Sequence, residues 1–526
     1  MQNPGQLSVQ INNERMSILN IGTLLTRHAR YRPDHSALVV GNHRLSFREL
    51  NACVNRLSNA ILLSGARKGQ KFATVLTNCL ELMTAYWAAA KTGVVIVPCS
   101  TLLQETGLMT LLRDSDTVLV LADASFGGTL ERIRGKLPCL LEDGVVLVGN
   151  GNEHTGFRDY DEWVGMASAS EPADADLTDS DVYNIMYSSG TTGAPKGIVH
   201  THYVRAMYCT LFASAFRITP ESIVLHAGAI VFNGAMLDMM PWMFVGCRYI
   251  LHETFDAEAV IRTIEQEKVT HIIMVPSQII ALLNHSAFDA EALRSLEMIQ
   301  NLGAPLHLEY KNRLNEVLPN RFYEVYGVTE GFITVLDKTD AVRKAGSVGA
   351  PLSFFEIRIF DKDGRECAVG EIGEICGNGP LQMSGYYRRP DLTEKAIVDG
   401  WLHTGDVGYL DDEGFLFLVD RMKDMIISGG VNIYPKDIEE VIIRHPAVIE
   451  VAVFGVPDPK WGETPVAAVI PEQDHSIVAA ELLEWTNSRV DAKFQRISDV
   501  ILMESFPRNI AGKTLKRQLR EQYCRA

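Results

Sequence analysis

The sequence predicts an α/β fold of doubly wound, mostly parallel sheets, divided into at least two domains. Two observations carry this expectation. Short apolar runs of strand character alternate with amphipathic runs of helical period over most of the chain, the pattern of sheets covered by helices on both faces. The chain also has 526 residues, 47% of them hydrophobic, more than one core ordinarily gathers.

Residues 1–16 are polar and without pattern, and read as a flexible tail. Ala37 to Val40 and Arg44-Leu45 flank a Gly-Asn turn and read as a hairpin. Ser46-Phe-Arg-Glu49 is a capping box, and the helix it opens carries Leu50, Val54, Leu57 and Ile61 on one face, with Gly65 as its stop. Strand Lys71 to Leu76, a helix ending near Gly93, strand Val94 to Val97, another helix and strand Thr117 to Leu121 continue the alternation. The stretch from Gly144 to Asp181 contains an acidic connection rich in Ala, Ser and Asp. The glycine-rich run Tyr187 to Gly197 behind it is expected to open a second unit of similar alternation, with buried strands at Val269 to Pro276 and Ile299 to Leu306. Near the end, Pro435 suits the first turn of a helix, and Val448 to Val456, Pro465 to Ile470 and Val500 to Met503 read as strands.

The formal charge of −16 argues against a polyanion-binding surface and so against nucleic acid as a partner. Nine cysteines are scattered from Cys53 to Cys524 without a CxxC pair, which suits a reducing compartment better than disulfides or zinc. No basic segment followed by an apolar one opens the chain, so a cytoplasmic enzyme is expected. His226 to Cys247 is long and apolar with one acid, Asp238. It also holds Asn233, Pro241 and three glycines and lacks flanking positive charge, so it reads as a buried helix lining an apolar pocket and not as a membrane span.

Chemistry concentrates in a few runs. Tyr187-Ser-Ser-Gly-Thr-Thr-Gly-Ala-Pro-Lys-Gly197 follows the apolar stretch Val182 to Met186. Its glycines let backbone approach a ligand, its hydroxyls and N–H groups can bind phosphate oxygens, and Lys196 adds a positive charge. The spacing differs from the mononucleotide P-loop, because Pro195 stands five residues after Gly190 and Gly197 follows Lys196. Tyr323-Glu-Val-Tyr-Gly-Val-Thr-Glu330 delivers a ring that can stack on a purine, a hydroxyl for phosphate and an acid for Mg²⁺. His403-Thr-Gly-Asp406 and Asp420-Arg421 supply an acid and an arginine suited to ribose hydroxyls. Pro507-Arg-Asn-Ile-Ala-Gly-Lys513 presents a lysine on a turn. Alone, Lys513 would read as a solvated lysine.

Together and in this order, these runs resemble the motifs of the adenylate-forming (AMP-binding) superfamily, from about residue 20 to 520, and the match is nearest to acyl-CoA synthetases of fatty or aromatic acids. That resemblance implies a large N-terminal domain over 17–422, a hinge at Lys423 and a mobile C-terminal domain over 424–526. It implies ATP, Mg²⁺ and CoA, with Ser188, Ser189, Gly190, Thr191, Thr192, Gly193 and Lys196 holding phosphates. Gly303, Ala304, Pro305, Glu324, Tyr326 and Gly327 would meet adenine, Thr329 the α-phosphate, Glu330 the metal, and Asp406 and Arg421 the ribose. Lys513 would catalyse the first half-reaction together with Thr191 and Glu330, and Ser428, Gly429, Gly430 and Trp461 would meet CoA.

The acid pocket is expected at Phe232, Asn233, Met236, Gly303, Gly327 and Val328. Leu302 stands where the superfamily commonly has glycine and is expected to narrow that pocket. Val231-Phe-Asn-Gly234 takes the place of a common aromatic-histidine pair, so that a Phe232 in the histidine's position would leave an apolar gate. The pocket segments hold Met239, Met240, Met274, Phe332 and Leu336 and no arginine or lysine for a second carboxylate. The expected activity is therefore an acyl-CoA ligase for a hydrophobic acid, fatty, aromatic or alicyclic, with transfer of the acyl group to a carrier protein or other acceptor as the alternative. A homodimer is left open.

Overall fold

In the computed structural model, residues 19–149, 156–188, 195–421, 424–428, 431–472, 477–490, 492–508 and 514–525 are described. The proposed tail at 1–16 lies outside them.

Two large sheets dominate. Strands Lys71–Val75, Val95–Cys99, Thr117–Asp123 and Val145–Val148 run parallel at the centre of an eight-stranded sheet. Strands Ile223–His226, Arg248–Leu251, His271–Met274, Met298–Asn301 and Phe322–Val328 run parallel in a nine-stranded one. Their side chains alternate between two faces, as a pleated strand requires. Phe72 points to the core shared between the sheets and Ala73 to the outer core; Val224 and Leu225 divide in the same way. Helices Phe47–Leu63, Leu80–Thr92, His202–Phe216 and Met236–Val245 fill the shared layer, with Trp87 and Trp242 meeting edge to face at 6.1 Å between ring centroids.

The two sheets are interleaved in sequence, which corrects the expectation that the glycine-rich run opens the second unit. Strands Val182–Ser188 and Lys196–Thr201 form an antiparallel hairpin inside the first sheet, beside Val95–Cys99. Conversely, the early hairpin Ser36–Val40 and His43–Ser46 is carried to the far edge of the second sheet, where Leu38 to Val40 pair with Tyr249 to Leu251. A period-two pattern shows which residues a strand buries but not which sheet receives it, so this exchange leaves no local trace.

Local signals were more direct. Ser46 Oγ accepts from the backbone N–H of Glu49, while Glu49 Oε2 accepts from the backbone N–H of Ser46 at 2.8 Å. Gly93 ends its helix in the left-handed region at φ 74°. The apolar stretch at 226–247 becomes a strand end and the ten-residue helix Met236–Val245, whose Asp238 is fully buried on His226 Nδ1 at 2.8 Å and Tyr249 OH at 3.0 Å. Among the described residues, no helix is long and apolar enough to cross a membrane.

A third, five-stranded sheet is built from Glu356–Phe360, Gly373–Asn378, Ile397–Val398, Trp401–Leu410 and Leu416–Arg421. The last sheet uses only strands beyond residue 425: Ile426–Ser428, Val431–Ile433, Val448–Asp458, Gly462–Pro471 and Asp499–Leu502. It has its own apolar clusters, around Ile438, Val453 and Val469 and around Phe454 and Leu519. A large N-terminal body of mixed α/β sheets is thus followed by a small C-terminal one.

Replacing Ser46 by Ala removes the Oγ that accepts from the Glu49 N–H and donates to Glu49 Oε2, leaves the backbone half of the capping box in place, and is expected to cost about 1 kcal/mol. The midpoint of a urea or guanidinium titration, with unchanged slope, would measure it.

Candidate active site

A cavity of about 570 Å³ lies between the carboxyl ends of the nine-stranded sheet, the third sheet and the C-terminal body. Ligands of open α/β sheets bind at such strand ends. One wall is the turn after Met298–Asn301, where Gly303 sits at φ 88°, a conformation other residues rarely take. Asn301 Nδ2 donates to the carbonyl of Ala304 at 3.0 Å and to Glu324 Oε1 at 3.0 Å, and Leu306 N–H donates to the same oxygen at 3.3 Å. Glu324 is almost wholly buried and is ion-paired with Lys311. Although Glu324 borders the cavity, its carboxylate is taken up in shaping the turn that presents Gly303, Ala304 and Pro305.

The next wall joins two sheets. Tyr326, from strand Phe322–Val328, donates its hydroxyl to Asp406 Oδ2 at 2.9 Å. Burial and the adjacent carboxylate hold the Tyr326 phenol well above its ordinary pKa, so it remains a donor. Asp406 Oδ1 faces Arg421 Nε at 2.9 Å across the antiparallel register of the third sheet, in an ion pair that leaves this oxygen without an aligned hydrogen bond. An acceptor and a guanidinium side by side are what a vicinal diol needs. Gly327 follows Tyr326 along the same rim.

The C-terminal body closes the cavity with Lys436, Glu439, Glu440, Arg508, Thr514 and Lys516. His307 Nδ1 meets Glu440 Oε1 at 3.4 Å, and Lys436 Nζ donates to the Leu418 carbonyl at 2.9 Å. Lys513 lies outside the described residues, but Arg508 and Thr514, which pair with each other on either side of it, both face the cavity. Lys423 also lies outside; Asp424 N–H donates to the Arg421 carbonyl at 2.9 Å beside it.

The glycine-rich run is a hairpin whose ends are fixed by the pairing of Ser188 with Lys196. Its tip, with Ser189, Gly190, Thr191, Thr192 and Gly193, lies outside the described residues. Lys196 Nζ stands 5.1 Å from the centroid of the Tyr386 ring, and the Tyr386 hydroxyl donates to Glu330 Oε1 at 2.8 Å. Sequence reasoning missed Tyr386. It belongs to a two-residue strand, Gly385–Tyr386, that joins the sheet edge beside Ile198 and Val199, too short to register as a strand by pattern.

The expected acid-pocket residues gather elsewhere along the same strand ends. Phe232, Asn233, Leu302 and Val328 are partly exposed, whereas Met236, Met239 and Met240 are fully buried and belong to the shared core. Leu302 does crowd this region: a methyl group on Gly234 would stand 2.8 Å from its Cδ1. The polar member of the Phe-Asn pair, Asn233, accepts from Arg205 Nη2 at 2.9 Å and donates to the Tyr208 hydroxyl at 3.0 Å. The arginine behind Asn233 is fully buried. Arg205 arrives from helix His202–Phe216, a segment outside those that pattern assigned to the pocket. Ser428 pairs with Gly462 next to Trp461, which is 49% exposed, and neither Ser428 nor Trp461 borders the cavity; Gly429 and Gly430 lie outside the described residues.

Residues 25–387 match the family described as AMP-binding enzyme, and residues 437–513 match the AMP-binding enzyme C-terminal domain. The chain is 33% identical over 508 residues to the feruloyl-CoA synthase of an Amycolatopsis species, covering 96% of this chain and 99% of that one. It is 33% identical over 519 residues to the long-chain-fatty-acid–CoA ligase FadD13 of Mycobacterium tuberculosis, covering 96% and 98%. The o-succinylbenzoate CoA synthetase (MenE) of Bacillus subtilis, solved in complex with its acyl-adenylate intermediate, superposes with a TM-score of 0.83 at 31% identity, covering 95% and 98%.

Burial raises the Asp420 carboxyl to about 6, against the pull of Lys516. A raised carboxyl pKa stabilises the fold below the unfolded value, near 4, and that contribution is lost as pH rises through 6. The stability of Asp420→Asn relative to the parent is therefore expected to improve by roughly 2 kcal/mol between pH 4 and 7, measured by denaturant titrations at each pH.

Proposed function

The chain belongs to the AMP-binding enzyme family, and from that premise we propose that it is an ATP-dependent acyl-CoA ligase acting on a hydrophobic carboxylic acid. The observation that carries the proposal is the cavity in which the 303–305 turn, Tyr326 and the Asp406–Arg421 pair face the two flanks of the Lys513 loop.

A carboxylate oxygen attacks the α-phosphorus of ATP, forming an acyl-phosphate bond and releasing pyrophosphate. The thiol of CoA, losing its proton, then attacks the acyl carbonyl and expels AMP. No nucleophile from the protein is required. The chain's work is to place the reactants in line and to offset charge that accumulates on phosphate. In this reading the Gly303 turn and Tyr326 seat the adenine, Asp406 and Arg421 take the ribose hydroxyls, and the Ser188–Lys196 hairpin holds the terminal phosphates. Thr329 meets the α-phosphate.

Glu330 is a hard oxygen donor of the kind Mg²⁺ takes, and its hydrogen bond from Tyr386 orients it beside Lys196. Mg²⁺ bound there would neutralise charge on the phosphates. The second half-reaction calls for Ser428, Gly429, Gly430 and Trp461 at the thiol's path. Ser428 and Trp461 stand away from the cavity here, which supports an arrangement suited to the first half-reaction, with Lys423 as the pivot between the two. The net charge of −16 fits small-molecule partners rather than nucleic acid.

Replacing Lys513 by Ala is expected to slow acid-dependent pyrophosphate release by roughly 10²-fold or more while leaving thioester formation from supplied acyl-AMP largely intact. Equal losses in the two steps would refute its assignment. Release of AMP that depends on CoA identifies the acceptor, since adenylate accumulation unaffected by CoA would point to a carrier protein or another nucleophile.

A further inference from the structure

Arg205 is among the largest fully buried side chains, and among the described residues no acid pairs with its charge. Its Nε donates to Asn184 Oδ1 at 2.8 Å, and its Nη2 donates to Asn233 Oδ1 at 2.9 Å and to His200 Nδ1 at 3.1 Å. All three acceptors are neutral. Burial and the neighbouring guanidinium hold His200 well below its ordinary pKa, and since its Nε2 donates to the Thr329 carbonyl at 2.9 Å, Nδ1 carries the lone pair that faces Arg205. The Tyr208 ring lies 4.7 Å from the guanidinium carbon. Tyr86 and Tyr183, also close, are held as neutral phenols by burial. Among the described residues the Nη1 group has no aligned hydrogen-bond partner.

An ion buried without a counter-charge ordinarily costs several kcal/mol, and one replaced by an apolar residue would often leave a protein more stable. Three neutral hydrogen bonds and a ring face reduce that cost but leave the charge uncompensated. The location suggests what completes it. Arg205 holds Asn233, which with Phe232, Leu302 and Val328 is partly exposed at the strand ends, and it stands one imidazole's width beyond the Thr329 carbonyl. An acid whose reacting carboxylate lies at the Gly327–Glu330 turn would extend past that turn toward Arg205.

We propose that Arg205 is a specificity-determining residue whose Nη1 takes a second carboxylate on the acid substrate, at the end of an apolar body remote from the carboxylate being activated. The proposal rests on the ligase reading and refines its substrate class to acids with two carboxylates. A site built to hydrogen-bond a substrate group discriminates strongly against the analogue that lacks it, because its own polar atoms are then left unpaired.

The test is a panel of matched pairs, each a monocarboxylic acid and the dicarboxylic acid of equal length, in an alkyl and an aryl series, scored by CoA-dependent AMP release. The parent enzyme is expected to favour the dicarboxylic member of at least one series by roughly 10-fold or more in kcat/KM. Arg205→Met should lower kcat/KM for that diacid by roughly 10²-fold and bring the preference to about one or reverse it, while Arg205→Lys, which keeps the charge, retains part of it. A parent with no preference for a diacid, or an Arg205→Met that loses both members of a pair in equal proportion, would overturn the proposal and leave Arg205 a positioning residue for Asn233 and His200. The parent's preference decides the matter even if Arg205→Met fails to fold. Shifts in melting temperature on adding each acid to the free protein separate this proposal from the one it rests on. A diacid that binds preferentially yet is never converted overturns the ligase reading alone, and absence of preference in both binding and turnover overturns the role of Arg205.

Discussion

The carboxylate of Asp406 joins parts of the molecule that pattern alone keeps separate. It accepts from Tyr326, at the end of a parallel strand in the nine-stranded sheet, and faces Arg421, the last described residue before the chain passes into the C-terminal body. At 7% exposure it sits in a setting of low dielectric where both contacts are stronger than they would be in water, and where losing either would leave a buried charge poorly matched. The position of the third sheet against the second, the place where a diol can bind and the point from which the C-terminal body departs all follow from this one group. Its backbone N–H is in turn held by Thr404 Oγ1 at 3.1 Å, so the turn preceding it serves orientation as much as ligand contact.

What could be read from the sequence divides along the distance over which the physics acts. The capping box at Ser46 and Glu49, the helix stop at Gly93 and the strand at Val182–Ser188 rest on neighbours a few residues apart, and they formed as the pattern implied. The site residues at 303–305, 326, 327, 406 and 421 were recognisable because each sits in a short run of distinctive composition, and the fold brings them to one cavity. Tyr386, Lys311 and Arg205 were not. Tyr386 reaches Glu330 from a two-residue strand, Lys311 reaches Glu324 from a helix of unremarkable composition, and Arg205 lies in a helix whose buried face is otherwise apolar or aromatic apart from His202. Each matters through a partner distant in the chain, so no local window contains the signal.

The same distinction explains the one topological surprise. The strands carrying Ser188 and Lys196 return to the first sheet after the chain has completed a long acidic connection, while the earliest hairpin crosses to the second. Both sheets share one helical core, and exchanging edge strands between them ties that core together from both sides. The strand that carries Lys196 is thereby anchored on one sheet, while Tyr326 and the 303–305 turn are anchored on the other. A nucleotide bound across them would bridge the two, and the Tyr386 hydroxyl between the lysine side and Glu330 already does so in part.

A chain with a net charge of −16 must still accommodate a polyphosphate, and the cavity shows how the charges are arranged for it. Three of its cations are matched in advance with acids of the protein, Arg421 with Asp406, Lys516 with Glu439 at 2.7 Å and Arg508 with Glu450 at 2.5 Å, and His307 Nδ1 faces Glu440. Such pairing keeps the empty site from being strongly cationic, and phosphate entry then exchanges one set of partners for another instead of discharging a bare positive field. The contact between His307 and Glu440 also crosses from the large body to the small one, and partly exposed contacts of this kind contribute no more than about 1 kcal/mol. Lys436 adds two donations across the same junction, from Nζ to the Leu418 carbonyl and from its backbone N–H to Asp420 Oδ2 at 3.3 Å. Were the small body to turn between an adenylating and a thioester-forming step, these are the contacts that would break and re-form.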